Sequence, residues 1–300
     1  TVMGSRSGSG SLSAGRFSSF KENKLQFALV APMVLWFVLF LLIPLLLIFY
    51  YSFLTVENFQ IIHDVSLVTW ATNVFTPTNA RIFVVTFLFG LLVTGLTIAL
   101  GYPVAYYLRF HVRPNIAFMV VLVSIIPFWI SGIIRALAWY PILQRGGLVN
   151  QLLISVGAIQ EPLGWLLFSR FAMVVGFVAN YVVFMYVPIY AALLNVDGDL
   201  KDASGTLRGS PLATFRNVTL PLSLPGVVIG TIFVFVLTLG DFVIPQFLSG
   251  GQTTVPGLVY LKVNQGLNYP TAAALSIVLL ALILAIVGLL TRRIDITESF

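Results

Sequence analysis

The sequence predicts an all-α polytopic membrane protein: six transmembrane helices, with both termini on the cytoplasmic side. Four observations predict it. Hydrophobic residues make up 59% of the 300 and charged residues 9%, where an average soluble domain has roughly 25% charged residues. Mean hydropathy is +1.01, which is more apolar surface than one core can bury, so the surplus faces lipid. Six segments are apolar enough to cross a hydrocarbon layer about 30 Å thick as helices, which takes roughly 20 residues each. Lys and Arg are shared unequally between the segments that join them. Helices are favoured because each satisfies its own backbone hydrogen bonds in lipid, and the runs lack the alternation of barrel strands. These properties exclude a soluble enzyme, a disordered regulator and a nucleic-acid binder. The net charge of +6 and pI near 9.7 come from sixteen scattered Lys and Arg, not from a basic stripe. The absence of cysteine removes disulfides, thiolate chemistry and Cys-ligated metals.

In chain order, residues 1–24 are Gly/Ser-rich with Arg6, Arg16, Lys21 and Lys24, and read as a flexible cytoplasmic tail. Residues 25–291 form one membrane domain, and residues 292–300 a cytoplasmic C-terminal tail. The spans are approximately Leu25–Phe53, Ile82–Leu108, Ile116–Leu143, Phe171–Leu194, Leu224–Phe247 and Thr271–Leu290. The first run, about 29 residues, is too long for the apolar region of a cleaved signal peptide and reads as a retained span. Pro32, Pro44, Pro103, Pro127, Pro141, Pro188 and Pro245 fall inside spans. Each frees a carbonyl and favours a kink, which suggests a bundle bent around a cavity. With six spans the termini share a side. That side holds Arg6, Arg16, Lys21, Lys24, Arg109, Arg113, Lys201, Arg208, Arg216, Arg292 and Arg293. The other side holds Arg81, Arg145, Arg170 and Lys262, so the excess places both termini in the cytoplasm. The outer segments 54–80 and 144–168 carry short apolar patterns. Leu148, Leu152, Leu153, Val156 and Ile159 recur at helical spacing and predict a short amphipathic surface helix.

The longest inner loop, 195–221, is both charged and helix-patterned. Leu200, Ala203 and Leu207 share one face, with Lys201 and Asp202 opposite. Ser210-Pro211 supplies an N-cap and a first-turn proline for a second short helix through Leu212, Phe215 and Val218. An ordinary solvated loop needs neither caps nor an apolar face, so the pattern reads as a rigid docking knob.

D-A-S-G-T-L-R-G from Asp202 to Gly209, with L-P ending at Pro221, resembles the EAA loop of ABC importer permease subunits. The segments G-Y-P-V-A-Y-Y-L (101–108), I-P-F-W-I-S-G-I-I-R (126–135), G-G-L-V-N-Q-L-L (146–153), G-D-F-V-I-P-Q-F-L (240–248) and Y-P-T-A-A-A-L-S (269–276) are similar to the spermidine/putrescine-type branch. The resemblance runs in order from the first span to the sixth. It implies a type I ABC importer permease fold in a bacterial cytoplasmic (inner) membrane. A second six-span permease, two ATP-binding subunits and an extracytoplasmic solute-binding protein are the implied partners, besides membrane lipid. Asp202, Ala203, Ser204, Arg208, Gly209, Leu212 and Phe215 would couple to the ATPase. This chain would need no cofactor, ATP and Mg being held by the ATPase subunits. Polyamines are the leading substrate; opines, amino-acid-like cations and aminophosphonates are alternatives.

Three positions depart from the family pattern: Asp202 replaces Glu, Ser204 replaces the second Ala, and Arg208 stands where Gly is usual, with Gly209 next. Asp keeps the charge but shortens its reach, so any ion pair must be closer. Arg adopts a positive φ less easily than Gly.

Leu248-Ser249-Gly250-Gly251-Gln252 spells the signature string of ABC ATPase domains. That chemistry requires a phosphate-binding loop ending in Gly-Lys-Ser/Thr, and Gly-Lys does not occur in the chain. The glycines are expected to serve a tight turn instead. Asp241 and Arg135 are the charged residues within the spans. A carboxylate at membrane depth is costly unless it faces the bundle interior or a wet path. Asp241 is therefore either a gate or a contact for a cationic substrate, or else a partner for Arg135, a helix cap or a loop residue. Ammonium groups are also attracted to aromatic faces, which makes Trp129, Tyr181 and Phe184 pathway candidates, with Trp139 and Tyr186. His63 and His111 fall on opposite sides of the membrane and do not form a metal pair.

An ion-coupled secondary transporter would call for inverted repeats and more intramembrane charges. A membrane enzyme would call for a catalytic constellation that the sequence lacks.

Overall fold

In the computed structural model, residues 30–196, 211–251 and 254–292 are described. The chain divides into two compact units, Thr1–Tyr51 and Ser52–Phe300. In the first, helix α1 (Val30–Tyr51) is long and apolar enough to cross a membrane. It carries a π-helical turn at Val38–Leu42, just before Pro44. The wider turn absorbs the carbonyl that the proline ring leaves without a donor.

In the second unit, strands β1 (Thr55–Glu57) and β2 (Gln60–Ile62) form an antiparallel hairpin, with Val56 opposite Ile61. Its two-residue turn has Asn58 and Phe59 at φ of 50° and 61°, the twist that matches the strands. This hairpin lies in the segment for which only apolar patterning was expected, and it adds a small β element to the helical class. Helix α2 (Pro77–Phe110) follows; its 34 residues measure about 51 Å. Thr76 caps it by accepting from the Asn79 amide at 3.2 Å.

The third apolar segment corrects the expectation of one continuous span over Ile116–Leu143. Helix α3 (Pro114–Ile125) passes into a tight 3₁₀ turn at Ile126–Trp129. The chain then extends at Ile130 and Ser131 before α4 (Gly132–Leu137), α5 (Tyr140–Leu143) and α6 (Leu148–Ser155). The two limbs, Pro114–Trp129 and Gly132–Ser155, are bent by 101°. Pro127 opens the 3₁₀ turn and Pro141 opens α5, so both prolines terminate helices where kinks within one helix were expected. Helix α6 forms where its periodicity predicts it, with Leu153 partly buried among the predicted apolar positions. Leu148, Leu152 and Val156 are exposed, and the buried contact is Asn150. The Asn150 amide donates to the Gln144 and Leu163 carbonyls and accepts from the Leu163 amide at 2.8 Å. Backbone groups in the following loop need a partner, and a side-chain amide satisfies them where leucine cannot.

Helix α7 (Arg170–Leu194) is the centre of the bundle and packs against α2 and against α8 (Leu212–Gly240). Ser169 caps it by accepting from the Ala172 amide. The main buried cluster forms along α7 from Met173, Phe177, Met185, Ile189 and Leu193, with Val93 of α2 and Val234 of α8. Helix approach here depends on missing side chains, since lipid supplies no hydrophobic drive between helices. A Cβ on Gly230 would stand 2.8 Å from Met185 Sδ and 3.0 Å from the Met185 carbonyl.

Helix α8 brings two further corrections. The expected second knob helix is not separate: residues from Leu212 run through a π-helical turn at Phe215–Thr219 into Leu220–Gly240 without a break. The π turn lies just before Pro221, repeating the device of α1. At its other end the helix stops at Gly240, short of the expected Phe247. A separate helix α9 (Val243–Leu248) follows. Helix α10 (Val255–Asn264), which the sequence reading did not place, is tied to α2 where the Val255 amide donates to Thr86 Oγ1 at 2.9 Å. Helix α11 (Tyr269–Thr291) completes the unit. Counting the bent pair as one, the described residues hold six elements long and apolar enough to cross a membrane. Between α9 and α10, Gly250 and Gly251 have φ of 65° and 100°, a turn that other residues adopt with strain.

Candidate functional site

The site is built on the interruption between α8 and α9. Gly240 ends α8, and a side chain there would meet open space. Asp241 then turns extended, with φ −85° and ψ 122°. Its Oδ1 accepts from the Val243 amide at 2.6 Å and the Ile244 amide at 3.3 Å. A carboxylate placed so satisfies donors that the start of a helix leaves open. Its Oδ2 accepts a 2.7 Å hydrogen bond from the Tyr181 hydroxyl of α7. The cap reading and the interior-facing reading of Asp241 therefore hold together in one side chain.

Asp241, Tyr181 and Arg135 line one cavity of about 470 Å³, with Gly132, Asn180 and Phe242 among its other walls. Arg135 reaches it because the third segment breaks at Ser131–Gly132 and restarts as α4. Its guanidinium lies 4.5 Å from the centroid of the Phe128 ring. Its Nε is buried without a hydrogen-bond partner. Arg135 and Asp241 thus share a cavity but do not pair. The expected Arg135 partnership is corrected: Tyr181 and two backbone amides occupy the carboxylate, and the Phe128 face holds the guanidinium.

Phe184 stands one turn along α7 from Tyr181. It meets Phe128 edge-on at 4.7 Å and lies 6.5 Å from Phe233 of α8, ring to ring. It supports the cavity's aromatic wall without lining the cavity itself. Trp129 is 85% exposed and outside the cavity. Tyr186 is buried in the core, and Trp139 packs against it. Sequence reasoning missed Asn180 and Phe128. The adjacency of Asn180 to Tyr181 was a usable signal; Phe128 had none beyond the family motif that contains it.

Of the coupling residues, Asp202, Ala203, Ser204, Arg208 and Gly209 lie outside the described residues. Leu212 is 75% exposed. Phe215 is half-buried, edge-on to Tyr102 at 5.6 Å between centroids. His111 stacks on Tyr107 at 5.3 Å.

No family model matches the chain. Individual proteins do. The chain is 30% identical to the spermidine/putrescine transport system permease protein PotB of Haemophilus influenzae, over 92% of this chain and 98% of that one. It is 31% identical to the inner membrane ABC transporter permease protein YdcU of Escherichia coli, over 87% and 88%. Among solved structures, a bacterial alginate ABC transporter in complex with a pentasaccharide-bound periplasmic protein includes a chain that superposes with a TM-score of 0.71, at 17% identity, over 92% of this chain and 96% of that one. A shared fold, together with sequence identity at this level across nearly the whole length, shows that this multi-pass inner-membrane chain belongs to the spermidine/putrescine-type family of ABC importer permeases.

Proposed function

We propose that this chain forms half of a translocation pathway for polyamines or a related small cationic solute. A second six-span permease forms the other half. A solute-binding protein delivers the solute at the outer face, and two separate ATPase subunits, which hold ATP and Mg, drive the cycle. Both termini face the cytoplasm. The 195–221 segment docks on one ATPase, through Asp202, Ala203, Ser204, Arg208, Gly209, Leu212 and Phe215. The chain needs no cofactor of its own.

The observation that carries the pathway reading is the Asp241 carboxylate held by Tyr181 in a cavity between α4, α7 and α8. An ammonium entering there exchanges its water for a carboxylate and an aromatic face. Because Asp241 also caps α9, a solute that draws on the carboxylate acts directly on the break between α8 and α9, and gating follows from the same contact.

The variant Asp241→Asn keeps an oxygen for the cap and removes the charge. Uptake of labelled putrescine and spermidine into proteoliposomes holding the whole complex is expected to fall about tenfold, the size of a lost charge-assisted hydrogen bond, with assembly unchanged. Unaltered uptake kinetics would take Asp241 out of the pathway. A second reading, an amino-acid-like solute bearing both charges, is favoured by one feature: the cavity offers a carboxylate and an unpaired guanidinium together. Competition of putrescine uptake by amino acids separates the two.

A further inference from the structure

The segment proposed above to dock on the ATPase joins α7 to α8, and a single face of α2 holds the described residues on both sides of it. On the α7 side, Arg109 donates from Nε to the Leu193 carbonyl at 2.9 Å and from a terminal nitrogen to the Val196 carbonyl at 3.0 Å. The Leu193 carbonyl also accepts from the Val196 amide at 3.1 Å, so Arg109 adds a second donor there, and a cation near the last carbonyls of a helix complements its dipole. On the α8 side, the Phe215 ring lies edge-on to Tyr102 and Tyr106, at 5.6 and 6.2 Å between centroids. The Tyr102 hydroxyl is 2.8 Å from Ser223 Oγ. Since Ser223 donates to the Leu220 carbonyl at 3.0 Å, Tyr102 is the donor of that pair. Tyr102, Tyr106 and Arg109 are spaced four and three residues apart, which puts them on one face of α2.

We infer that this face is a yoke: Tyr102, Tyr106 and Arg109 hold the two legs of the docking segment as one unit. Force applied to the segment then moves α7 and α8 together and reaches the Asp241 break, and Arg109 is the positioning residue for the α7 leg. A role in membrane orientation alone would need only a positive charge. The fork on two carbonyls is specific to a guanidinium, because a lysine is a single point donor. The inference rests on the docking reading, and its test is arranged to fail separately from it.

The measurement is ATP hydrolysed per labelled putrescine imported, by the complete complex in proteoliposomes, with the amount of assembled complex scored alongside. For Arg109→Ala the expected outcome is an assembled complex with ATPase activity within about twofold of the parent and imported solute per ATP lowered at least about tenfold, the size of one of the two charge-assisted bonds lost. Arg109→Lys is expected to recover part of the ratio, since the charge remains and one carbonyl stays in reach. If Arg109→Ala does not assemble, the Lys variant decides by the same ratio. A ratio that stays at the parent value, with uptake and hydrolysis falling only as assembly falls, overturns the yoke. Gly209→Trp, in the docking segment, serves as the reference. If Gly209→Trp uncouples and the Arg109 variants do not, the yoke fails while docking stands; if Gly209→Trp leaves coupling and assembly intact, the docking reading fails.

Discussion

A carboxylate within a membrane span has to be accounted for bond by bond, and Asp241 can be. Its two oxygens accept from Tyr181, Val243 and Ile244, so the charge is neither bare nor neutralised by the nearby guanidinium. Removing one of these bonds tests how tightly the break is held. Tyr181→Phe keeps the ring and deletes the donor. We expect a loss of about 1–3 kcal/mol of local stability, read as faster hydrogen exchange at the Val243 and Ile244 amides, with the amount of folded protein little changed. Equal exchange in both proteins would mean that Tyr181 does not hold the carboxylate. The sequence singled out Asp241 because acids are scarce in spans, but Tyr181 precedes it by 60 residues. Nothing local announces a bond across that separation, so Tyr181 stood only among several aromatics.

At the scale of helices, the α7–α8 contact is set by what α8 lacks. A side chain on Gly230 would run into Met185, whereas one on Gly95 of α2 would meet nothing within 4 Å. Gly230→Leu is expected to lower the melting temperature of the detergent-solubilised protein by the equivalent of roughly 1–3 kcal/mol of overpacking, while Gly95→Leu stays near the parent. Equal melting of the two would remove close backbone approach as the organising contact. Helix periodicity made most elements legible, including α6, although α2 starts at Pro77, five residues before the expected Ile82. Proline positions did not reveal that Pro127 and Pro141 end helices and do not merely kink them. A proline states that a hydrogen bond is missing, not where the chain goes next; the 101° bend depends on what packs on either side. The continuity of α8 through Phe215–Thr219 was missed for the converse reason. The short helix through Leu212, Phe215 and Val218 read as separate from the span, yet a π turn joins the two.

For the whole molecule, the eleven Lys and Arg on one set of loops against four on the other predict an orientation that can be tested directly. The chain contains no cysteine, so single cysteines report without background. Ser13→Cys is expected to react with a membrane-impermeant maleimide only when the cytoplasmic face is accessible, and Gln160→Cys only from the opposite face. Labelling of both from one side would contradict the topology.

By itself the sequence determined the class of protein, the approximate spans and the family, because each follows from hydropathy, charge count or ordered motifs that are local in the chain. It also marked Asp241 and Arg135 as the charges needing explanation. Only the tertiary structure decided that these two share a cavity without pairing, that Tyr181 and Phe128 take their places as partners, and that one face of α2 holds the described residues at both ends of the 195–221 segment. Those are contacts between residues 7 to 121 positions apart. Where the chain breaks and which helices approach closely determine them, and neither is written in any single stretch of sequence.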